Sequence, residues 1–218
     1  MPLEVLEPAF SYDLLDLDIV KDELKIDPSD TTSDAWLARA ITQVSQLAQD
    51  YIKRPFARET IRETRYIPQD PYPYQTPGGL APLQLERWPV ASVSSVLQII
   101  AAGTTQTLTA GQDYAVDFDL GQLIRLNPFT GVATKWEALP VIVEYDGGYD
   151  DIPADVVDAT LRLVVNRWFS RGRDPLLLES VQPGLGTQRW WVGGPKGGGT
   201  LPAEVQGMLD IYRAPTVA

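Results

Sequence analysis

The stretch "LPVIVEYDGGYDDIPADVVDATLRLVVNRW", residues 139–168, changes its period half-way along. Val141, Val143 and Tyr145 fall on every second position, the spacing that puts side chains on one face of a strand. Gly147 and Gly148 make a turn. After Pro153 the apolar residues Val157, Leu161, Val164, Val165 and Trp168 recur at threes and fours, which is the face of a helix. Pro153 suits a first helical turn because its missing N–H would have no partner there, and Asp155 favours the positive helix end. Asp158 and Arg162 are placed to pair on the exposed side. A strand that runs through a short turn into a helix belongs to an α+β chain.

Upstream, from Arg58 to Tyr145, the period of two persists. "TIRETRYIP", "PLQLERWPV", "SVLQIIAAG", "TLTAGQDYAVD" and "GQLIRLNP" are short β-branched or aromatic runs punctuated by Pro, Gly, Asn and Asp. They predict an antiparallel sheet or small sandwich of about five to seven strands. The segment from Gln69 to Gly79 is too rich in Pro and Gly for either element and reads as an exposed loop.

Before it come two helical patterns. "LDIVKDELKI" places Ile19, Val20, Leu24 and Ile26 near one face. "SDAWLARAITQVSQLAQDYIKR" starts at a Ser33 cap, carries Leu37, Ile41, Val44, Ala48 and Tyr51 on one stripe, and stops at Arg54 and Pro55. At the far end "LPAEV" at 201–205 repeats the order of "IPADV" at 152–156, so a last helix begins as the earlier one does, with Val205, Met208, Leu209 and Tyr212 on its face. The expected fold is α+β, a small bundle of about four helices with an inserted antiparallel β-rich module. The expected divisions are N-terminal core helices at 1–57, the module at 58–147, a core helix at 148–173, an extended Gly/Trp-bearing arm at 174–199, and a C-terminal helix and tail at 200–218.

The chain has 218 residues, no cysteine and no histidine. That removes disulfides, thiolate and imidazole metal sites, Ser-His-Asp triads and cysteine nucleophiles. Carboxylates, Lys, Tyr and Ser are left as possible catalysts, and no cofactor or metal is expected. "MPLEVLEPAF" carries acids where a secretory signal carries positive charge, so the chain is expected to stay inside the cell. The long uncharged run from Trp88 to Gln112 is loaded with Ser, Thr, Gln and Gly and reads as strands, with no membrane partner. Net charge is −11, and residues 1–50 hold 11 acids against 3 bases. Such a surface repels a phosphate backbone, which argues against tight general DNA binding but suits a protein that DNA slides past.

Several constellations have bland and sharp readings. Asp113, Asp117, Asp119 and Gly121 hint at a calcium loop, but its glutamate is missing, and a hairpin turn accounts for them. Glu144, Asp146, Asp150 and Asp151 read as turn and helix-start acids, or as carboxylates for hydrolysis. Arg167, Arg171 and Arg173 complement a helix C-terminus, or grip a partner's carboxylates. In "WWVGGPKGGGTLPAEV", residues 190–205, Lys196 precedes its glycines, the wrong order for a phosphate-binding loop. Trp190 and Trp191 on an extended segment point to opposite sides, so the stretch reads as a loop folded over its own domain or as a docking arm.

The order of "LDIVKDELKID", "DAWLARAITQVSQLAQDYIKRPF", a β-rich middle ending "VEYDGGYDDIPADVVDATLRLVVNRW", and a late helix resembles the head-to-tail connector (adaptor) proteins of long-tailed bacteriophages and gene transfer agents. The resemblance is most specific at Tyr145, Gly148, Tyr149, Ile152, Pro153 and Asp155, and at "RWWVGG" with "LPAEVQGMLDIYR". It implies a non-enzymatic subunit that forms a ring, usually twelve-fold, beneath the portal protein. That ring joins the capsid to tail-completion or stopper proteins and lets DNA pass without sequence-specific binding. Location in the virion neck and synthesis in the host bacterial cytoplasm are implied too. Carried onto this chain, it makes Trp190, Trp191, Val192, Arg213, Pro215, Val217 and Ala218 interface residues facing the portal or a neighbouring subunit, with Arg167, Arg171 and Arg173 at a subunit contact. From the charge imbalance, Asp16, Asp18 and Asp22 are expected to line the DNA channel. Two alternatives stand beside this: a carboxylate-dependent hydrolase using Asp150, Asp151 or Glu144, and a sugar- or protein-binding β module presenting Tyr72, Tyr74 and Trp88.

Overall fold

A computed structural model describes residues 3–67, 82–171, 179–182, 186–189 and 201–213. The chain divides into two compact units, one of residues 1–11, 54–151 and 215–218, the other of residues 12–53 and 152–214. The fold is α+β, with helices and antiparallel sheets in separate stretches of chain, as the change of period predicts.

The first unit is built of strands: β1 (Leu3–Glu7), β2 (Glu59–Tyr66), β3 (Leu83–Gln84), β4 (Val90–Ala101), β5 (Thr104–Thr107), β6 (Tyr114–Asp117), β7 (Gln122–Arg125) and β8 (Pro140–Gly147). Five form one sheet in the order β1-β2-β8-β4-β5, and three form a second in the order β3-β7-β6. Every pairing is antiparallel. The acidic "LEVLE" near the start, unassigned in the sequence reading, pairs along β2 as β1, with Glu4 beside Arg62. Its outer positions are exposed, so no apolar alternation marks it. Ile61, Leu85, Val96, Leu123, Val141, Val143 and Tyr145 come from both sheets into one core. The tetrad Asp113 to Gly121 is a hairpin between β6 and β7, with Gly121 at φ 63° in the left-handed region.

Three charged residues share the inward face of β2 with Ile61: Glu59, Glu63 and Arg65. The Tyr145 hydroxyl donates to Glu63 Oε2 at 2.7 Å and accepts the Arg87 backbone N–H at 3.1 Å. The Glu86 N–H also donates to Glu63 Oε2, at 3.2 Å, and Arg65 Nε pairs with Glu63 Oε1. Arg87 Nε reaches Glu59 Oε2 at 3.2 Å. Burial pushes the Glu63 carboxyl up against the pull of Arg65, and pushes the Tyr145 hydroxyl well above its ordinary value. Gly147 is required here because a Cβ would stand 2.5 Å from the Arg87 carbonyl oxygen.

The second unit holds α1 (Leu17–Glu23), α2 (Asp34–Ile52), α3 (Ala154–Phe169), α4 (Ala203–Leu209) and a closing 3-10 turn, Asp210–Tyr212. In the stretch with no sequence period, β9 (Glu179–Gln182) and β10 (Gly186–Arg189) pair antiparallel. Leu37, Ile41, Val44 and Ala48 of α2 are buried as their stripe predicts. The buried face of α3 is rotated from the expected one: Val156, Ala159, Thr160, Leu163 and Val164 go inside, and Trp168 stays half-buried. Thr160 is tolerated there because its hydroxyl donates to the Val156 carbonyl at 2.7 Å. Pro153 and Pro202 cap α3 and α4 with nearly the same extended backbone, so the two "PA-acid-V" starts do the same job. Ser33 occupies the cap position of α2 without a side-chain hydrogen bond. Lys21 is buried, its ammonium held by Asp34 Oδ1 at 2.7 Å and by the carbonyls of Asp30 and Pro28.

Candidate assembly interface

The helical unit carries an arginine-rich groove. Residue 36 of α2 lies one position before the buried stripe, so Trp36, Arg39 and Gln43 form a second, outward row at helical spacing. The last turn of α3 and the turn after it face this row with Arg167, Trp168 and Arg171. The rings of Trp36 and Trp168 meet edge to face at 5.6 Å, and the Arg171 guanidinium lies 4.6 Å and 4.4 Å from their centres. Arg167 Nη1 donates to Gln43 Oε1 at 2.8 Å, and Arg39 Nε donates to the Ala35 carbonyl of its own helix at 3.2 Å. Together with Ser170 they line an open groove of about 490 Å³. Among the described residues no carboxylate pairs with Arg39, Arg167 or Arg171. Next to it Phe169 is 77% exposed.

Elsewhere in the same unit several charges are matched. Arg162 pairs with Asp158 at 3.0 Å, as the i,i+4 spacing predicts, and with Glu204. The Tyr212 hydroxyl donates to Asp155, and the Tyr51 hydroxyl donates to Asp210 at 2.6 Å, which raises the Tyr51 pKa. Arg213 stands 5.3 Å from the Tyr51 ring.

The expected interface and channel-lining residues thus fall into four groups. Arg167 and Arg171 share the groove, and Arg213 lies at the 3-10 turn, on the Tyr51 ring. Asp16, Asp18 and Asp22 lie on the exposed side of α1, where Ile19, expected inside, is 41% exposed among them. Arg173, Trp190, Trp191, Val192, Pro215, Val217 and Ala218 lie outside the described residues, as do Tyr72 and Tyr74. Trp36 and Arg39 escape the sequence reading because it follows only the apolar stripe. Their signal was an aromatic and an arginine one turn apart on the face that should be plain and polar.

Two of the three carboxylates of the hydrolase alternative, Glu144 and Asp150, are engaged within the sheet unit. Glu144 accepts from Arg62 Nε at 2.8 Å and Asp150 pairs with Arg58 at 2.5 Å. Asp146 accepts from the hydroxyls of Ser92 and Thr60, both at 2.7 Å, which lower its pKa. Trp88, the described member of the binding-module alternative, has the Arg54 guanidinium stacked 3.5 Å from its ring centre.

No protein-family model matches the sequence, and no curated protein matches it. Solved structures do. The chain is similar over its whole length to a chain in the virion of a native gene transfer agent particle, at TM-score 0.56 and 15% identity, covering 98% of that chain. It is similar to a chain in the neck of the empty particle with C6 symmetry, at TM-score 0.54 and 15% identity, and to one in the neck of the native particle with C12 symmetry, at 0.52 and 16%. Coverage of both neck chains is also 98%, with 100% of this chain aligned. At such identities the likeness is one of fold, and it includes both units.

Proposed function

We propose that this protein is a structural subunit of the neck of a phage or gene-transfer-agent particle. In this reading it is an adaptor that assembles as a ring, twelve-fold in the family it resembles, between the portal and the tail-completion or stopper proteins. Duplex DNA passes through the ring, and no bond-making step belongs to the chain. The observation that carries the reading is the end-to-end likeness to neck chains, with 100% of this chain and 98% of theirs aligned. A likeness confined to one unit would speak only for a shared module; one that spans both speaks for a shared assembly plan.

The residues fit this use. A ring subunit needs heterologous contacts between two different patches of itself, and an arginine groove that no described carboxylate matches is one such patch. Trp190, Trp191, Val192 and the end from Arg213 through Pro215, Val217 and Ala218 are assigned to the portal or a neighbouring copy, and Arg173 to the subunit contact with Arg167 and Arg171. Asp16, Asp18 and Asp22 serve the reading in one of two places, against the passing duplex or against the next copy.

Two measurements test it. Electron microscopy of particles from the producing cells should show this chain as a ring at the neck, with its copies countable. Deleting residues 213–218 should remove the chain from particles while its circular dichroism stays unchanged. A particle neck that lacks the chain overturns the reading, and so does a truncated chain that still attaches.

A further inference from the structure

We infer that the groove of Arg39, Arg167 and Arg171 receives the acidic outer face of α1 from the next copy of the same chain. This deepens the neck reading and rests on it for the presence of that next copy. Stacking on Trp36 and Trp168 fixes the Arg171 guanidinium, and Gln43 holds Arg167. Stacking occupies a guanidinium's flat faces and leaves its N–H edges free, the part that recognises a carboxylate bidentately. Donors fixed before binding lose less conformational freedom on binding.

The occupant follows from which acids remain. In the helical unit Asp155 and Asp210 bond to tyrosines, Asp158 and Glu204 to Arg162, Asp50 to Gln46, and Asp27 and Asp30 cap their own loop. Asp16, Asp18, Asp22 and Glu23 are exposed and make none of the side-chain bonds or ion pairs found among the described residues. Asp16, Ile19 and Glu23 recur at the spacing of one helix face, with Asp22 beside them. The face therefore offers acids around one apolar side chain, and the groove offers arginines beside the exposed Phe169. Opposite charge meets opposite charge, and Ile19 finds an apolar surface. The face and the groove are different patches, so the contact is head-to-tail and repeats from copy to copy, as closed rings require. The neck chains it resembles occur in C6 and C12 arrangements.

Charge reversal in the full chain tests this. One variant carries Arg39→Glu, Arg167→Glu and Arg171→Glu; a second carries Asp18→Lys, Asp22→Lys and Glu23→Lys; a third carries all six. Each triple should cut the copies recovered in purified particles by at least about tenfold, and the third variant should recover to within about twofold of the natural chain, since reversed partners again attract. Triples that assemble normally, or a six-fold variant no better than the arginine triple, overturn the contact. So does an arginine triple that assembles but fails to retain DNA, because the groove then faces the duplex. Circular dichroism checks folding. If the arginine triple misfolds, Arg39→Glu with Arg167→Glu, which leaves the stacked Arg171 in place, replaces it, alone and combined with the lysine triple, with recovery read by solution cross-linking. A natural chain absent from the neck fails the neck reading alone; cross-linking of the same three variants in solution still reports the contact.

Discussion

Arg65 of the sheet unit is fully buried, and its guanidinium meets Glu63 and Glu86; Arg171 of the helical unit is exposed and meets two tryptophan rings and no described carboxylate. The contrast extends to their neighbourhoods. Around Arg65 the chain supplies Tyr145 and the backbone N–H of Glu86 to complete the Glu63 carboxylate, whereas around Arg171 the described residues supply stacking and a glutamine amide near Arg167, and no carboxylate. A buried charge must be satisfied within its own fold or the fold fails. An exposed guanidinium tolerates water and so can wait for a partner. The difference separates charges that hold this fold together from charges still available to a partner.

The comparison breaks most sharply at Glu63. Glu63→Ala should leave Arg65 buried without its main counter-ion and cost about 3–5 kcal/mol, read as a fall in the urea midpoint. Replacing both partners, Glu63→Met with Arg65→Met, should cost far less than Glu63→Ala, because no buried charge then remains. A Glu63→Ala chain as stable as the natural one would mean that water already reaches this pair.

How far the sequence reveals these two regions depends on what period can report. β8, α2 and the twin starts of α3 and α4 were legible because burial there follows apolar spacing and turn chemistry. β1 was hidden, since an edge strand with exposed outer positions leaves no alternation to see. The inward Glu59, Glu63 and Arg65 of β2 were hidden for the opposite reason: their spacing is right for a strand, but charges at those positions read as the wet face. For α3 the helix was legible and its rotation was not, because Val157, Leu161 and Val165 are apolar yet only half-buried, while Thr160 is buried by bonding its own backbone. The groove was half legible. Arg167 and Arg171 stood out at a helix end, but their stacking partners Trp36 and Trp168 come from helices over a hundred residues apart in sequence.

A smaller effect sharpens the comparison on the sheet unit's surface. Asp146 is half-buried, and the Ser92 and Thr60 hydroxyls hold its pKa below 3.8, its ordinary value. A carboxylate with a lowered pKa contributes stability that is full above its unfolded value and is lost as pH falls through the folded one. Asp146→Asn should therefore cost about 1 kcal/mol at neutral pH, and the gap between the two chains should close as the pH falls below about 4. A gap that persists undiminished in acid would assign the loss to packing and not to the charge.

The smallest effect is expected where the arginines are unmatched. Arg39→Ala and Arg167→Ala remove no ion pair within the described residues and should each change the unfolding free energy read from urea denaturation by less than about 0.5 kcal/mol. Arg171→Ala loses its stacking over two rings, worth about 0.5–1 kcal/mol at an exposed site. If the three together approach the cost of Glu63→Ala, the groove is a structural element of its own unit, and its arginines have no surplus to offer a neighbour. If instead the triple folds and melts almost as the natural chain does while its recovery in particles collapses, stability and assembly are carried by different charges. Measuring both quantities on one variant decides this, because a merely unstable subunit would lose recovery in proportion to its unfolded fraction, and a change under about 2 kcal/mol leaves a typical domain more than nine-tenths folded.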